Sequence, residues 1–281
     1  MLSIIISSYQ SLYLNSLTEN IKETIGIITY EIIAINNPNL YSISEVYNKG
    51  VARSKYDNLL FIHEDIFFNT LNWGEILLDY LNNKEVGVVG VAGNTYLPNT
   101  PLGWSGLYEC ISINLIQSNK NKDIIKKYLL NNDKQARSLD GVFLSCRKEV
   151  ALKFKFEEKI KGFHCYDFIF SNRVANNYRN VVTSKILITH YSTGKRDNKW
   201  MENLINSRQY YDIIGQNNKL KFEIKAYYYY GLRLRDSGFK IQFIIKELYK
   251  YLNFNNLNLF GIFLFPYLVL RILYQKLYNG K

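Results

Sequence analysis

Leu59-Leu60-Phe61-Ile62-His63-Glu64-Asp65-Ile66-Phe67-Phe68 is the stretch whose reading decides the fold. Four apolar residues run into an imidazole and two carboxylates, and three more apolar residues follow. A continuous apolar run of this kind is the pattern of a strand buried on both faces. An ionised carboxylate inside such a pattern is costly unless it is paired or bound to a metal. His63-Glu64-Asp65 therefore reads either as a site at the end of a buried strand or as the point where that strand reaches solvent and turns. The flanking sequence has to separate the two.

Working outward, Leu2–Ile6 is a second apolar run, followed by Ser7-Ser8-Tyr9-Gln10 and a helical pattern to about Thr24. The run 27–35 reads as a strand stopped by Asn36-Asn37-Pro38-Asn39, and Ser42–Arg53 as a helix with Ser44 as its cap. Trp73–Leu81 is expected to be a helix and Val86–Ala92 a buried strand. Strands that alternate with helices and are apolar throughout indicate a mostly parallel sheet covered on both faces. Ligands of such sheets bind beyond the carboxyl ends of the strands. Tyr9, Asn37 and His63-Glu64-Asp65 all fall at that edge, which favours the functional reading.

Residues 93–106 read as a loop, in which Trp104 is either a binding platform or a loop anchor. Lys120–Leu130 is expected to be a helix, and Gly141–Ser145 a strand directly preceded by Asp140. Gly162-Phe163-His164-Cys165-Tyr166-Asp167 opens a helix running to about Asn176, and Val181–Ile188 is one β-rich run. The chain has three histidines, and His63, His164 and His190 each stand beside an acid or at a strand end. Asp65 and His190 together would offer oxygen and nitrogen to a divalent metal such as Mn²⁺.

At 281 residues, 47% of them hydrophobic, the chain can build a large core. Its three cysteines are widely spaced without a CxxC, which fits a reduced, cytoplasmic setting and argues against a disulfide scaffold or a structural zinc site. The first residues lack the basic start and the length of apolar run expected of a signal peptide. Net charge is +11, and residues 216–281 hold eleven Lys and Arg against three Asp and Glu. A basic tail of this kind suits an anionic membrane surface, and no nucleic-acid motif accompanies it. From Lys199 onward the pattern is helical. Leu259–Leu270 is apolar but spans only twelve residues and contains Gly261 and Pro266. A spanning helix needs ~20 apolar residues, so a transmembrane segment is rejected. An interfacial or partner-docking hairpin, or a helix packed on the main domain, remains.

The order of these motifs resembles the nucleotide-sugar glycosyltransferases of family 2, which have the GT-A fold, in the branch with His-x-Asp in place of Asp-x-Asp. The resemblance covers about residues 2–200. It rests on Ile4-Ile5-Ile6-Ser7-Ser8-Tyr9, Glu31-Ile32-Ile33-Ala34-Ile35-Asn36-Asn37, Tyr47-Asn48-Lys49-Gly50-Val51-Ala52-Arg53 and Phe61-Ile62-His63-Glu64-Asp65. Leu139-Asp140-Gly141-Val142-Phe143, Phe163-His164-Cys165-Tyr166-Asp167 and Thr189-His190-Tyr191-Ser192 follow in the family's order. Asn36-Asn37 stands where Asp-Asp is usual, His63 where the motif often has Asp, and Ile169 where a second Asp often follows Asp167.

The resemblance implies an α/β GT-A domain, placed over residues 1–215, with a central mostly parallel mixed sheet flanked by helices; the helical extension over 216–281 lies outside the resemblance. The resemblance also implies inverting transfer of a sugar from a nucleoside diphosphate, expected to be UDP, to a glycan or lipid-linked glycan in polysaccharide biosynthesis. Asp167 would be the general base. Ser8, Tyr9, Asn37, Asn48, Arg53, His63, Glu64, Asp65 and Asp140 would serve the donor, and Trp104 and His164 the acceptor. Asp65 and His190 would hold Mn²⁺ or Mg²⁺, with the metal requirement left open by His63. The expected location is cytoplasmic, peripheral on the inner face of the cytoplasmic membrane. The alternative is a non-catalytic sugar-nucleotide or glycan-binding module of the same fold. A nucleotidyltransferase would need a Gly-rich basic phosphate loop after the first strand, and Ser7-Ser8-Tyr9-Gln10 is not one.

Overall fold

The computed structural model describes residues 1–192, 198–252 and 254–278. The chain begins β1 (Leu2–Ser8), α1 (Ser11–Thr24), β2 (Tyr30–Asn36), α2 (Ile43–Arg53), β3 (Asn58–His63) and β4 (Ile66–Phe68). It continues α3 (Trp73–Asn82), β5 (Val86–Gly90), β6 (Ala92–Asn94), β7 (Ile111–Ile113), β8 (Leu115–Ser118) and β9 (Ile124–Tyr128). Next come β10 (Lys134–Ala136), β11 (Ser138–Leu139), β12 (Phe143–Arg147), α4 (Lys148–Phe154), α5 (Tyr166–Ala175), β13 (Arg179–Val182) and β14 (Ile188–His190). Four helices close the chain: α6 (Asn198–Ser207), α7 (Leu220–Asp236), α8 (Ile241–Lys250) and α9 (Phe254–Tyr278).

The expected mostly parallel mixed sheet flanked by helices is present. A seven-stranded sheet has the order β10-β13-β5-β12-β3-β1-β2. Strands β2, β1 and β3 are mutually parallel, β13 is parallel to β5, and β12 runs antiparallel between β3 and β5. The unbroken apolar runs follow from cover on both faces. Ile4, Ile6, Leu60 and Ile62 pack towards Leu17, Ile21 and Trp73, while Ile5, Leu59 and Phe61 pack towards Val46, Tyr47 and Phe170.

Four expectations are corrected. The cap of α2 is Ser42, not Ser44: Ser42 Oγ accepts from the Glu45 N–H, and the Glu45 carboxylate accepts from Ser42 in return. Val86–Ala92 splits at Val91, its last residue passing into a small sheet with β7 and β11. The run 181–188 is likewise two strands in different sheets. Lys120–Leu130 is no helix. Asn119 donates to the Asp123 carboxylate and accepts from the Asp123 N–H, and Lys122 takes φ 67°. That Asx turn folds β9 back onto β8, antiparallel, so turn chemistry overrides the helical spacing.

The short sheet β4-β14-β8-β9 lies beyond the carboxyl end of β3. The closing helices share one apolar cluster with the loop after β6. Leu97, Leu102 and Leu107 meet Phe168 and Met201 there, along with Tyr227, Tyr230 and Leu248. Helix α9 is kinked at Asn258 (φ 52°) and continues through Pro266. Leu257–Tyr274 is long and apolar enough, by length and composition only, to cross a membrane.

Candidate active site

β3 delivers His63 at its carboxyl end, and two residues later β4 begins. Antiparallel pairing of β4 with β14 sets Ile66 opposite His190, and the Tyr191 N–H donates to the Asp65 carbonyl at 2.9 Å. Asp65 and His190 are thereby fixed side by side. Asp65 Oδ1 lies 3.6 Å from His190 Nε2 and 3.9 Å from His63 Nδ1, and one ligand atom from each residue falls within 4.8 Å of the others. Burial alone would raise the Asp65 carboxyl, but the hydrogen bond from His190 and the neighbouring imidazoles outweigh it and hold it at about 2. Burial pushes the His63 imidazole below its usual range, against the pull of Asp65. An ionised carboxylate beside a neutral imidazole is the protonation state that metal ligands need. Two nitrogens and one oxygen also suit a divalent transition ion. The trio fits a metal, and it adds His63 to the pair read from sequence.

Glu64 has different partners. Its carboxylate is buried and accepts from Ser8 Oγ at 2.5 Å and from the Tyr9 and Gln10 N–H groups at 3.2 Å. It thus holds the loop between β1 and α1 at the positive end of that helix. Asn37 is also buried: its side chain donates to the Tyr41 carbonyl and accepts from the Tyr41 N–H, bracing the turn after β2. Glu64 also lines the smaller of the cavities below, whereas Ser8 and Asn37 shape the loops beside it. Asn48 bonds the Phe156 backbone and Glu158. Arg53 sits at the far end of α2, where the next residues bond Glu31 and Ser3 near the starts of β2 and β1. Ten residues of helix carry it ~15 Å from the Ile43 end. Neither Asn48 nor Arg53 lines the cavities below.

Two cavities meet at the His63–Asp65 corner. One, of about 230 Å³, is lined by Tyr9, Gln10, Tyr13, Tyr47, Lys120 and Phe163. The other, of about 330 Å³, is lined by Trp104, Asp140, His164, Asp167, His190 and Trp200. Tyr9 is exposed and lines the smaller cavity, and Asp140, Trp104 and His164 line the larger. Asp167 is the second residue of α5, and its Oδ2 accepts from the Gly141 N–H at 2.9 Å. Burial and then the charge of Asp140 raise its carboxyl to about 7, although backbone N–H groups of Phe168 and Gly141 pull it down. A carboxyl poised near neutrality in a cavity is equipped to take a proton.

A family model described as a glycosyltransferase-like family matches residues 3–189. The chain belongs to this family. No curated protein matches its sequence. Among solved structures, GalNAc-T7 with UDP, GalNAc and Mn²⁺ aligns over 98% of this chain and 57% of its own, at 9% identity and a TM-score of 0.49. S. aureus TarS 1-349 aligns over 90% of this chain and 72% of its own, at 11% identity and a TM-score of 0.45. The glycosyltransferase-like chain thus spans a little over half the length of the first of these.

Several residues of this glycosyltransferase-like site carried no sequence signal of their own. Tyr166 Oη hydrogen-bonds His63 Nε2 at 2.9 Å, joining the metal corner to the residue before Asp167. Metal-binding histidines are usually anchored through their second nitrogen in this way. Gly141 makes that approach possible: a Cβ there would overlap Tyr166 Oη and lie 3.0 Å from Asp167 Cβ. Lys120 reaches the smaller cavity because residues 119–123 form a hairpin turn. Arg233 of α7 donates to the Leu102 and Ser105 carbonyls at 3.2 and 2.9 Å and lies over the Trp200 ring. One guanidinium therefore fixes both walls of the larger cavity.

Proposed function

We propose that the chain is an inverting glycosyltransferase that moves a sugar from a nucleoside diphosphate, UDP by preference, to a glycan or lipid-linked glycan acceptor. The observation that carries this reading is the pair of cavities meeting at the His63–Asp65–His190 corner, with the raised Asp167 carboxyl in the larger one. The smaller cavity takes the nucleotide, with Tyr9 stacked on the base and Lys120 near the diphosphate. Asp140 faces the donor sugar. Trp104 and His164 take the acceptor in the larger cavity. Residues 1–215 form the catalytic unit, and the extension 216–281 completes its acceptor side through Arg233.

Asp167 accepts the acceptor hydroxyl proton as that oxygen attacks the anomeric carbon. The bond from this carbon to the diphosphate oxygen breaks, the diphosphate leaves with the electron pair, and the configuration inverts. A divalent ion held by Asp65 and His190, with His63 as a third ligand, would offset the charge of the leaving diphosphate.

Thermal unfolding with UDP, GDP and their sugars, with and without Mn²⁺, tests the donor site. A ligand at one hundred times its dissociation constant stabilises by about 2.7 kcal/mol. UDP with Mn²⁺ is expected to raise the wild-type midpoint by several degrees and to leave Asp65→Asn and His190→Ala unshifted. If no nucleotide shifts the wild type, the donor assignment is overturned.

A further inference from the structure

Helix α9 is apolar on two opposite faces, and only one of them is packed. Leu257, Leu268 and Ile272 are buried against the cluster built by α7 and α8. Leu259, Phe260, Phe263, Tyr267, Leu270 and Tyr274 are each more than half exposed. At ~100° per residue these six fall within an arc of roughly 100°, opposite the packed face. An exposed apolar stripe this long is unusual for a protein surrounded by water.

The packed face excludes a simple span. α9 lies along α7, and the Arg271 guanidinium sits 5.3 Å from the Tyr228 ring of that helix. α7 carries Lys221, Glu223, Lys225, Arg233, Arg235 and Asp236. Taking α9 through a bilayer would either strip its packed face or pull these charges into hydrocarbon. A helix fixed to the domain on one side and apolar on the other is built to lie in the plane of an interface.

Charge selects the occupant. Residues 216–281 carry eleven Lys and Arg against three Asp and Glu. On α8, Lys246 is exposed, and the exposed Tyr249 ring is 6.4 Å from Phe265 of α9. Tyrosines beside aliphatics, in a segment with this basic excess, match a headgroup boundary that is anionic. We infer that the outward face of α9 lies in the surface of an anionic bilayer, its axis in the membrane plane.

The test uses the full chain and does not depend on sugar transfer. Flotation with mixed phosphatidylcholine–phosphatidylglycerol vesicles is compared with pure phosphatidylcholine, for the wild type and for Leu259→Glu/Phe263→Glu/Leu270→Glu. These three side chains are exposed, and circular dichroism checks that the fold is kept. The wild type is expected to float with anionic vesicles and to be released by alkaline carbonate. The triple variant should float at least about tenfold less, with UDP binding unchanged. Four results would overturn the inference: no flotation of the wild type, equal flotation of the variant, resistance to carbonate (a span), or a vesicle-free dimer that the triple variant dissolves (a second copy on this face).

Discussion

Gly141 shows how closely the reacting groups are fitted. Its backbone N–H holds Asp167 Oδ2, and the space where a side chain would stand is filled by Tyr166 Oη. Gly141→Ala must push Tyr166 away from His63 or move the start of α5, and a small misplacement at a reacting centre costs ~10²-fold in rate. We expect kcat to fall by about that factor while nucleotide binding, read by calorimetry, changes less than about threefold. Unchanged turnover would show that the Tyr166–His63 bond does not position the site. At this scale the sequence was partly legible. Asp65 and His190 stand out as polar residues ending apolar strands, and Asp167 as an acid opening a helix. Glu64 carries the same signal as Asp65, yet in the bend between β3 and β4 it accepts from Ser8, Tyr9 and Gln10 while Asp65 meets the two imidazoles. The link from Tyr166 to His63 spans 103 residues, and no local pattern announces it.

At the scale of elements, Arg233 joins α7 to both walls of the larger cavity through two carbonyls and the Trp200 ring. A lysine keeps the charge but not the planar fork. Arg233→Lys and Arg233→Ala are both expected to raise the acceptor KM about tenfold, at ~1.4 kcal/mol for each factor of ten, with the donor KM unchanged. An effect on donor and acceptor alike would mark Arg233 as a general stability residue instead. The central strands were readable because burial on both faces leaves them apolar throughout. The β8–β9 hairpin was not, since Ile124-Ile125-Lys126-Lys127-Tyr128 fits helix and strand about equally and the Asn119–Asp123 turn decides. Arg53 lies beyond the smaller cavity, because Ile43 and Tyr47, in the first half of α2, are the residues of that helix that line it.

Over the whole molecule, the seven-stranded sheet carries the His63–Asp65 corner at its carboxyl edge, and α5 sets Asp167 in the larger cavity beside it. The helices after residue 216 brace the larger cavity through Arg233 and present the exposed face of α9. Their apolar run was visible in the sequence, whereas its division into a packed and an open face depends on where α7 and α8 lie.

The central claim is that Asp167 takes the acceptor proton, and its ionisation gives the most direct measurement. A base must be unprotonated to act, and this carboxyl is raised to about 7, so the active form is lost as pH falls through that value. The pH profile of kcat/KM should fall about tenfold per unit below neutrality and level off above it. Asp167→Asn should lower kcat by about 10²–10⁴-fold, abolish that limb and leave UDP binding intact. A profile flat through pH 7, or substantial turnover by Asp167→Asn, would contradict the account.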